Sequence, residues 1–404
     1  MSASCRVVVV ALVAVLVATA VRATIVGVQE PLMGSADLPS DIPRVSVVPV
    51  GALWTLLGNS PQPPSHADTS LRQACADNGF TFVRIGGSAF WPVQLAKYNT
   101  DHVAYMQAVE QLYNISANHG CRVLLSLFWN WHAVPDLHNE HLGAAMRNAS
   151  SLSWAFWRQY TRDVMTVAAK YPQAVAGWEL GNELNNLADL NMTGSKGGCA
   201  PHLGTPTHRT SADNFSTTDM IDFEVSMANM VRATAAEYNV PHALISDGHS
   251  IPRMDAHHLR ESYHDPRRDW RADTEAEFAS NLVATCSCCE LCSAHFYAHS
   301  GQRWGHPVGS TYPLEVAHRA LAGMANKTLY VGEFGDNVVM TTEDRPFSMR
   351  VLDTLNRTGI RLATLWVWEF YQKSVTVPAN FSISPDCPED LPLIDAMKAL
   401  NQQE

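Results

Sequence analysis

Residues 174–183 read AVAGWELGNE, a short apolar run that ends on an amide and a carboxylate, with a second acid, Glu179, four residues before Glu183. The run does not alternate polar with apolar residues, as a strand with one wet face would. It reads as a strand covered on both sides, the condition of a parallel sheet wrapped by helices. Seven further runs have this character: VSVVPVGALW (45–54), FTFVRIGG (80–87), CRVLLSLFW (121–129), HALISDGH (242–249), LCSAHFY (291–297), TLYVGEFG (328–335) and RLATLWVW (361–368). Helical periodicities lie between them, over 100–119, 153–171, 217–239 and 343–357. In 217–239, Met220, Phe223, Met227, Met230 and Val231 mark one buried helix face. Strands alternating with helices imply right-handed parallel crossovers. Eight such units in 404 residues predict an α/β chain folded as a single-domain (β/α)8 TIM barrel. An open doubly wound sheet is the alternative, but no glycine-rich phosphate turn follows the first run.

The chain is 46% hydrophobic, enough to bury a large core. Its 39 acidic residues outnumber 28 basic ones, for a net charge of -11, so neither nucleic acid nor an anionic membrane is an expected partner. The first residues carry Arg6, an apolar run from Val7 to Val21, and small residues leading to Ala23. This pattern reads as a secretory signal peptide over 1–23, leaving a catalytic domain over 24–404. The run is shorter than the roughly 20 residues that span a bilayer, so no membrane association is expected after cleavage. Secretion, or delivery to the lumen of the secretory pathway or a lysosome, fits the sequons at Asn114, Asn148, Asn191, Asn214, Asn326, Asn356 and Asn380. Glycans need exposed backbone, so these positions are expected outside the core.

With Cys5 removed, eight cysteines remain: Cys75, Cys121, Cys199, Cys286, Cys288, Cys289, Cys292 and Cys387. An oxidising compartment predicts that they are largely paired, with the 286–292 cluster stapling the segment that enters the sixth strand. The alternative for CSCCELC is zinc, from its CxxC spacing.

In a barrel of this kind, chemistry sits at the C-terminal ends of the strands. The second run leads into Arg84, and the third ends in Trp129, Asn130, Trp131 and His132. The fourth ends in Asn182 and Glu183, the fifth in Asp247 and His249, the sixth in His295 and Tyr297. The seventh reaches Glu333, and the eighth carries Trp366 and Trp368. Two glutamates at separate strand mouths among aromatics are what glycoside hydrolysis needs, one as acid for the leaving oxygen and one for the anomeric carbon. Glu179 lies earlier in its strand and is expected to point into the barrel as partner of a base such as Arg84. Taken singly, the tryptophans also suit core filling. His249, His257, His258 and His264 lack a ligand pattern, so no metal or cofactor is expected.

WELGNE followed 150 residues later (333 − 183) by YVGEFG resembles the clan A glycoside hydrolases, and family 5, the cellulase and β-mannanase family, in particular. The resemblance spans roughly residues 45 to 400 and includes Arg84 in VRIGG, His295 and Tyr297 in HFY, and Trp366 in TLWVWEF. It implies Glu183 as acid/base, Glu333 as nucleophile, Arg84 and Tyr297 orienting Glu333, His295 lining the site and Trp366 as a sugar platform. The third-strand ending FWNWH is similar to the Asn-Trp pattern of mannanase-like members. Trp129, Trp368 and Asn182 complete the expected substrate-binding set. Long loops over 184–216, 249–272 and 298–311 fall where a cleft is shaped. The expected activity is secreted, retaining hydrolysis of a neutral β-mannan or β-glucan by a monomer. A heparanase-like hydrolase of acidic glycans and a non-catalytic carbohydrate-binding barrel are the alternatives.

Overall fold

The eight apolar runs become eight parallel strands: β1 Val45–Val47, β2 Phe82–Gly86, β3 Arg122–Phe128, β4 Val175–Gly181, β5 Leu244–Ser246, β6 Leu291–Phe296, β7 Thr328–Phe334 and β8 Leu362–Leu365. Each pairs with its neighbour in sequence, and β1 pairs with β8 through Val45↔Ala363 and Val47↔Leu365, closing the barrel. The computed structural model describes residues 42–49, 51–58, 63–87, 92–240, 244–336, 346–369 and 381–403. The signal segment 1–23 and the sequon at Asn380 lie outside them.

Helices follow the strands in the order that the crossovers demand: α1 Ser65–Leu71, α2 His102–Asn118, α3 Leu152–Ala168, α4 Thr217–Glu237, α5 Glu275–Thr285, α6 Tyr312–Leu321, α7 Pro346–Thr358 and α8 Leu391–Asn401. Local chemistry sets several starts. Asp101 and Ser151 cap α2 and α3 by accepting backbone N–H groups, while Ser216 with Asp219 and Thr274 with Glu277 form capping boxes on α4 and α5. The stripe expected on α4 is buried at Met220, Phe223, Met227 and Val231, with Met230 packed at its edge. The last helix returns to the first strand, where the Asn401 side chain both accepts from Val45 N and donates to Val45 O.

The first and fifth runs overshoot their strands. After Val47 the chain turns into a short helix over Gly51–Leu56. After Ser246 it takes positive φ at Gly248 (+70°), where an added Cβ would lie 1.8 Å from Gly181 O. Only glycine fits there.

Phe82 and Arg84, two residues apart on β2, share a face. Phe82 joins Leu124, Leu291, Tyr330 and Leu362 in an apolar cluster towards the strand starts, with its ring edge-on to Tyr330. One layer further along, Arg84 begins the polar layer beneath the C-terminal mouth. Among the described residues, no helix is long and apolar enough to cross a membrane.

Two disulfides form among the described residues, Cys75–Cys121 and Cys286–Cys292. The second staples the approach to β6 and removes two sulfurs from the zinc reading of CSCCELC. The expectation that the eight cysteines are largely paired is met in part, by these four. Cys288 and Cys289, adjacent and buried, carry free thiols, as does Cys199, which turns its thiol to Gly197 O. The Cys387 thiol donates to Glu389. Of the described sequons, Asn114, Asn148, Asn191 and Asn356 are exposed, and Asn326 is partly covered. Asn214 is also partly covered, its amide accepting from Met192 N and donating to Asn191.

Candidate active site

Arg84 is wholly buried at the centre of the polar layer. Its Nε and Nη2 grip the Glu179 carboxylate at 2.6–3.0 Å, Nη2 also reaches Asn182 Oδ1 at 2.9 Å, and Nη1 meets Glu333 Oε1 at 2.7 Å. Burial works against the guanidinium charge, but Glu179 and Glu333 more than offset this and hold its pKa above the ordinary arginine value. Glu179 thus faces inward and balances a cation whose remaining arm is spent on Glu333.

Glu333 comes from the end of β7, after a shift in the β6–β7 ladder, and is 5% exposed. Tyr297, just past β6, donates its hydroxyl to Glu333 Oε2 at 2.6 Å. Burial and the charge of Glu333 push that phenol well above its usual range, so it remains a donor. Both oxygens of Glu333 are therefore held by donors, one a cation and one a phenol.

Glu183 stands two residues beyond β4, in the left-handed region (φ 54°, ψ 35°), and turns the chain into Leu184–Asn186. This conformation costs a non-glycine residue about 1–2 kcal/mol. A bond from Glu183 N to Gly248 O at 2.8 Å helps hold it. Burial raises the Glu183 pKa above the ordinary carboxylate value, with the charge of Arg84 opposing.

His295 connects the two acids. Its Nδ1 lies 2.9 Å from Glu183 Oε1 and 3.5 Å from Glu333 Oε1, and its Nε2 is buried with no partner among the described residues. Burial lowers its pKa to about 4, against the charge of Glu333, so the ring is neutral at physiological pH. A neutral imidazole can donate from Nδ1 to an ionised Glu183, or accept there from a protonated one. One oxygen of Glu183, one of Glu333 and His295 Nδ1 all lie within 4.8 Å of one another. Such a triplet could in principle ligate a metal, but Glu333 has both oxygens occupied and a fixed cation, Arg84, at 2.7 Å.

The expected aromatic residues divide. Trp129 covers Arg84, with the guanidinium carbon 4.6 Å from its ring centre, and stacks on Trp366 at 5.6 Å and 26°. Trp366 is half-buried and caps this stack; the Trp366–Val367 peptide is cis. Trp368 is a correction to the substrate-binding set. It is 1% exposed, packs edge-on to Phe80 and donates to Ser70 O, so it fills the core between barrel and α1. Trp131 likewise packs on Phe128 and Phe223.

Two of the four histidines weighed as metal ligands pair with carboxylates, His258 with Asp273 at 2.8 Å and His249 with Glu224 at 2.6 Å. Glu224 is the acid that sequence reading missed. It lies on the buried face of α4, four residues after Met220, and an acid inside an apolar stripe was the available signal.

No protein-family model matches the chain, and no curated protein sequence does. Solved structures do. The endo-1,4-β-mannanase from Rhizomucor miehei superposes with a TM-score of 0.59 at 12% identity, covering 90% of this chain and 96% of that one. The endo-β-1,4-mannanase from Thermotoga petrophila gives 0.57 at 12%, covering 90% and 78%. A glycoside hydrolase family 5 mannosidase from Rhizomucor miehei gives 0.53 at 11%, covering 89% and 92%. The chain has the (β/α)8 barrel fold of the clan A, family 5-like glycoside hydrolases.

Proposed function

We propose that this protein is a retaining β-glycoside hydrolase that cleaves a neutral β-mannan or β-glucan by double displacement. One observation carries the reading: carboxyl oxygens of Glu183 and Glu333, from the ends of β4 and β7, lie within 4.8 Å of a common His295 nitrogen and of each other. Retaining enzymes set their two carboxyl groups about 5–5.5 Å apart, and inverting ones roughly 6.5–9.5 Å.

In the proposed cycle, Glu333 attacks the anomeric carbon while Glu183 protonates the departing oxygen. Glu183, now ionised, then takes a proton from the water that releases the sugar from Glu333. Arg84 and Tyr297 hold Glu333 aimed, Asn182 and His295 shape the site around it, and Trp366 over Trp129 offers an aromatic face to a sugar ring. Arg84 is fully engaged by acids of the protein itself, which leaves it no arm for a glycan carboxylate or sulfate and favours a neutral substrate over an acidic one. The disulfides and exposed sequons support a secreted glycoprotein.

The test pairs product analysis with mutants. Purified protein is incubated with mannans, cellulose-type glucans, mixed-linkage glucan and heparan sulfate, and the products are identified. Mass spectrometry with a dinitrophenyl glycoside should then show a covalent sugar adduct on Glu183→Gln and none on Glu333→Gln. The reverse pattern exchanges the roles, and wild-type rates in both mutants place the chemistry elsewhere.

A further inference from the structure

β5 is short, and meets β6 in the ladder only at Ser246↔Leu291. Beyond it, Asp247, Gly248 and His249 replace the ladder with specific bonds. Asp247 Oδ1 accepts from Ser293 N at 2.8 Å, Gly248 O from Glu183 N at 2.8 Å, and His249 O from His295 N at 3.1 Å. Three consecutive residues thus fix the backbone of both Glu183 and His295.

What fixes those three is a buried charge cluster. His249 Nε2 lies 2.6 Å from Glu224 Oε1 on α4, and its Nδ1 lies 3.7 Å from Asp247 Oδ2. Glu224, Asp247 and His249 are 0%, 1% and 3% exposed. Other charged or titratable groups facing the cluster are Glu179 from β4, His295 from β6, and, around Glu224 and Asp247, the Cys288 and Cys289 thiols with Lys327 beyond. Burial disfavours a charged His249, but Glu224 and Asp247 more than compensate and push its pKa up to about 9, so it is an imidazolium at neutral pH.

Glu224 does not touch Glu183, His295 or Glu333, and its packing on α4 could be supplied by a leucine. A buried ion pair is no better for stability than well-packed apolar residues, so a use in fixing geometry is the economical account of it. We propose that Glu224 and His249 are positioning residues for the acid/base half of the site: their pairing locks residues 247–249, and through Gly248 O and His249 O it sets where Glu183 and His295 stand. Glu333 is held independently, by Arg84 and Tyr297. The inference rests on the retaining mechanism proposed above, and it predicts damage confined to the step that uses Glu183.

The experiment compares wild type, Glu224→Gln and His249→Gln on two glycosides of the sugar that the wild type cleaves, one with a dinitrophenol leaving group and one with phenol. Only phenol needs acid assistance to depart. For the phenyl glycoside, kcat/KM should fall about tenfold or more, a part of the 10²–10⁴ that proton transfer supplies. For the dinitrophenyl glycoside it should stay within about threefold, because departure of that group draws on none of this term. The alkaline limb of the phenyl profile should also move to lower pH, as Glu183 leaves the buried position that raises its pKa. Loss of structure alone would scale both substrates together and leave the limb in place. Equal losses on both substrates, or no loss on either, overturn the inference. If the wild type cleaves neither glycoside, the reading of the site fails and this inference falls with it. Should the single variants not fold, the triple variant Glu224→Leu/Asp247→Asn/His249→Met, which removes all three charges of the cluster and keeps an acceptor for Ser293 N, carries the same comparison.

Discussion

Replacing Arg84 with methionine separates what the buried cation does for the fold from what it does for Glu333. The side chain is wholly enclosed and holds two carboxylates, one structural and one in the site. Removing it strands Glu179, itself 0% exposed, as an anion without a counterion. Deleting one partner of a buried pair costs about 3–5 kcal/mol. The variant should therefore unfold at a lower urea concentration than wild type. Activity follows a different contact. The bond from Nη1 to Glu333 is charge-assisted, and losing it removes about 1.5–3 kcal/mol of support for the ionised carboxylate. At about 1.4 kcal/mol per factor of ten, kcat/KM should drop roughly 10- to 150-fold.

The double variant Arg84→Met/Glu179→Leu isolates the two effects. It no longer strands Glu179, and Glu333 keeps the Tyr297 hydroxyl although it loses its cation, so urea unfolding at pH 8 should recover most of the lost stability, as for buried pairs replaced by apolar residues. Its activity should stay low, because Glu333 still lacks its cation. Two results would refute the reasoning: a single variant that loses less than about 1 kcal/mol, against the buried-pair scale, or a double variant whose activity returns with its stability.

Three further variants have defined outcomes. Cys75→Ala/Cys121→Ala opens a link across 46 residues, which loop-closure entropy values at about 4 kcal/mol, measurable as a lower urea midpoint. Trp368→Ala should cost about 3–5 kcal/mol as a large core truncation, with activity per folded molecule retained, whereas Trp366→Ala should leave the melting temperature nearly unchanged and raise KM on polymeric substrate.

The barrel was legible because its signal repeats. Eight apolar runs separated by helical stretches admit few topologies, and each run falls on a strand. Strand ends were less legible, since apolar residues continue past the last ladder bond: VSVVPVGALW reads as one run although the chain turns into a helix at Gly51. Residues of the polar layer, such as Arg84 and Glu179, were visible as charges inside apolar runs. Trp368 and Trp366 could not be told apart, because both lie in the same run near the strand end and only the packing of α1 decides which is enclosed. Glu224 escaped notice for a related reason: its meaning depends on His249, 25 residues away, and no local pattern joins them.

The asymmetry between the two glutamates follows from their neighbours rather than from their spacing. Two carboxyls this close resist ionising together, since each negative charge raises the other's pKa. Which one keeps the proton is decided by what else each touches. Glu333 has a cation on one oxygen and a phenolic donor on the other, and only 7% of its side chain is exposed. Glu183 has a neutral imidazole as its close partner, and burial raises its pKa although the charge of Arg84 and side-chain hydrogen bonds with Asn186 and Ser250 oppose the rise. In the proposed cycle Glu183, whose burial favours the protonated form, is the acid, and Glu333, fixed by Arg84 and Tyr297, is the nucleophile. A neutral His295 serves this arrangement in both halves of the proposed cycle, accepting from Glu183 when it holds a proton and donating to it when it does not. An imidazolium at that position would instead favour an ionised Glu183 and weaken the acid step, which gives the depressed pKa of His295 a direct place in the chemistry.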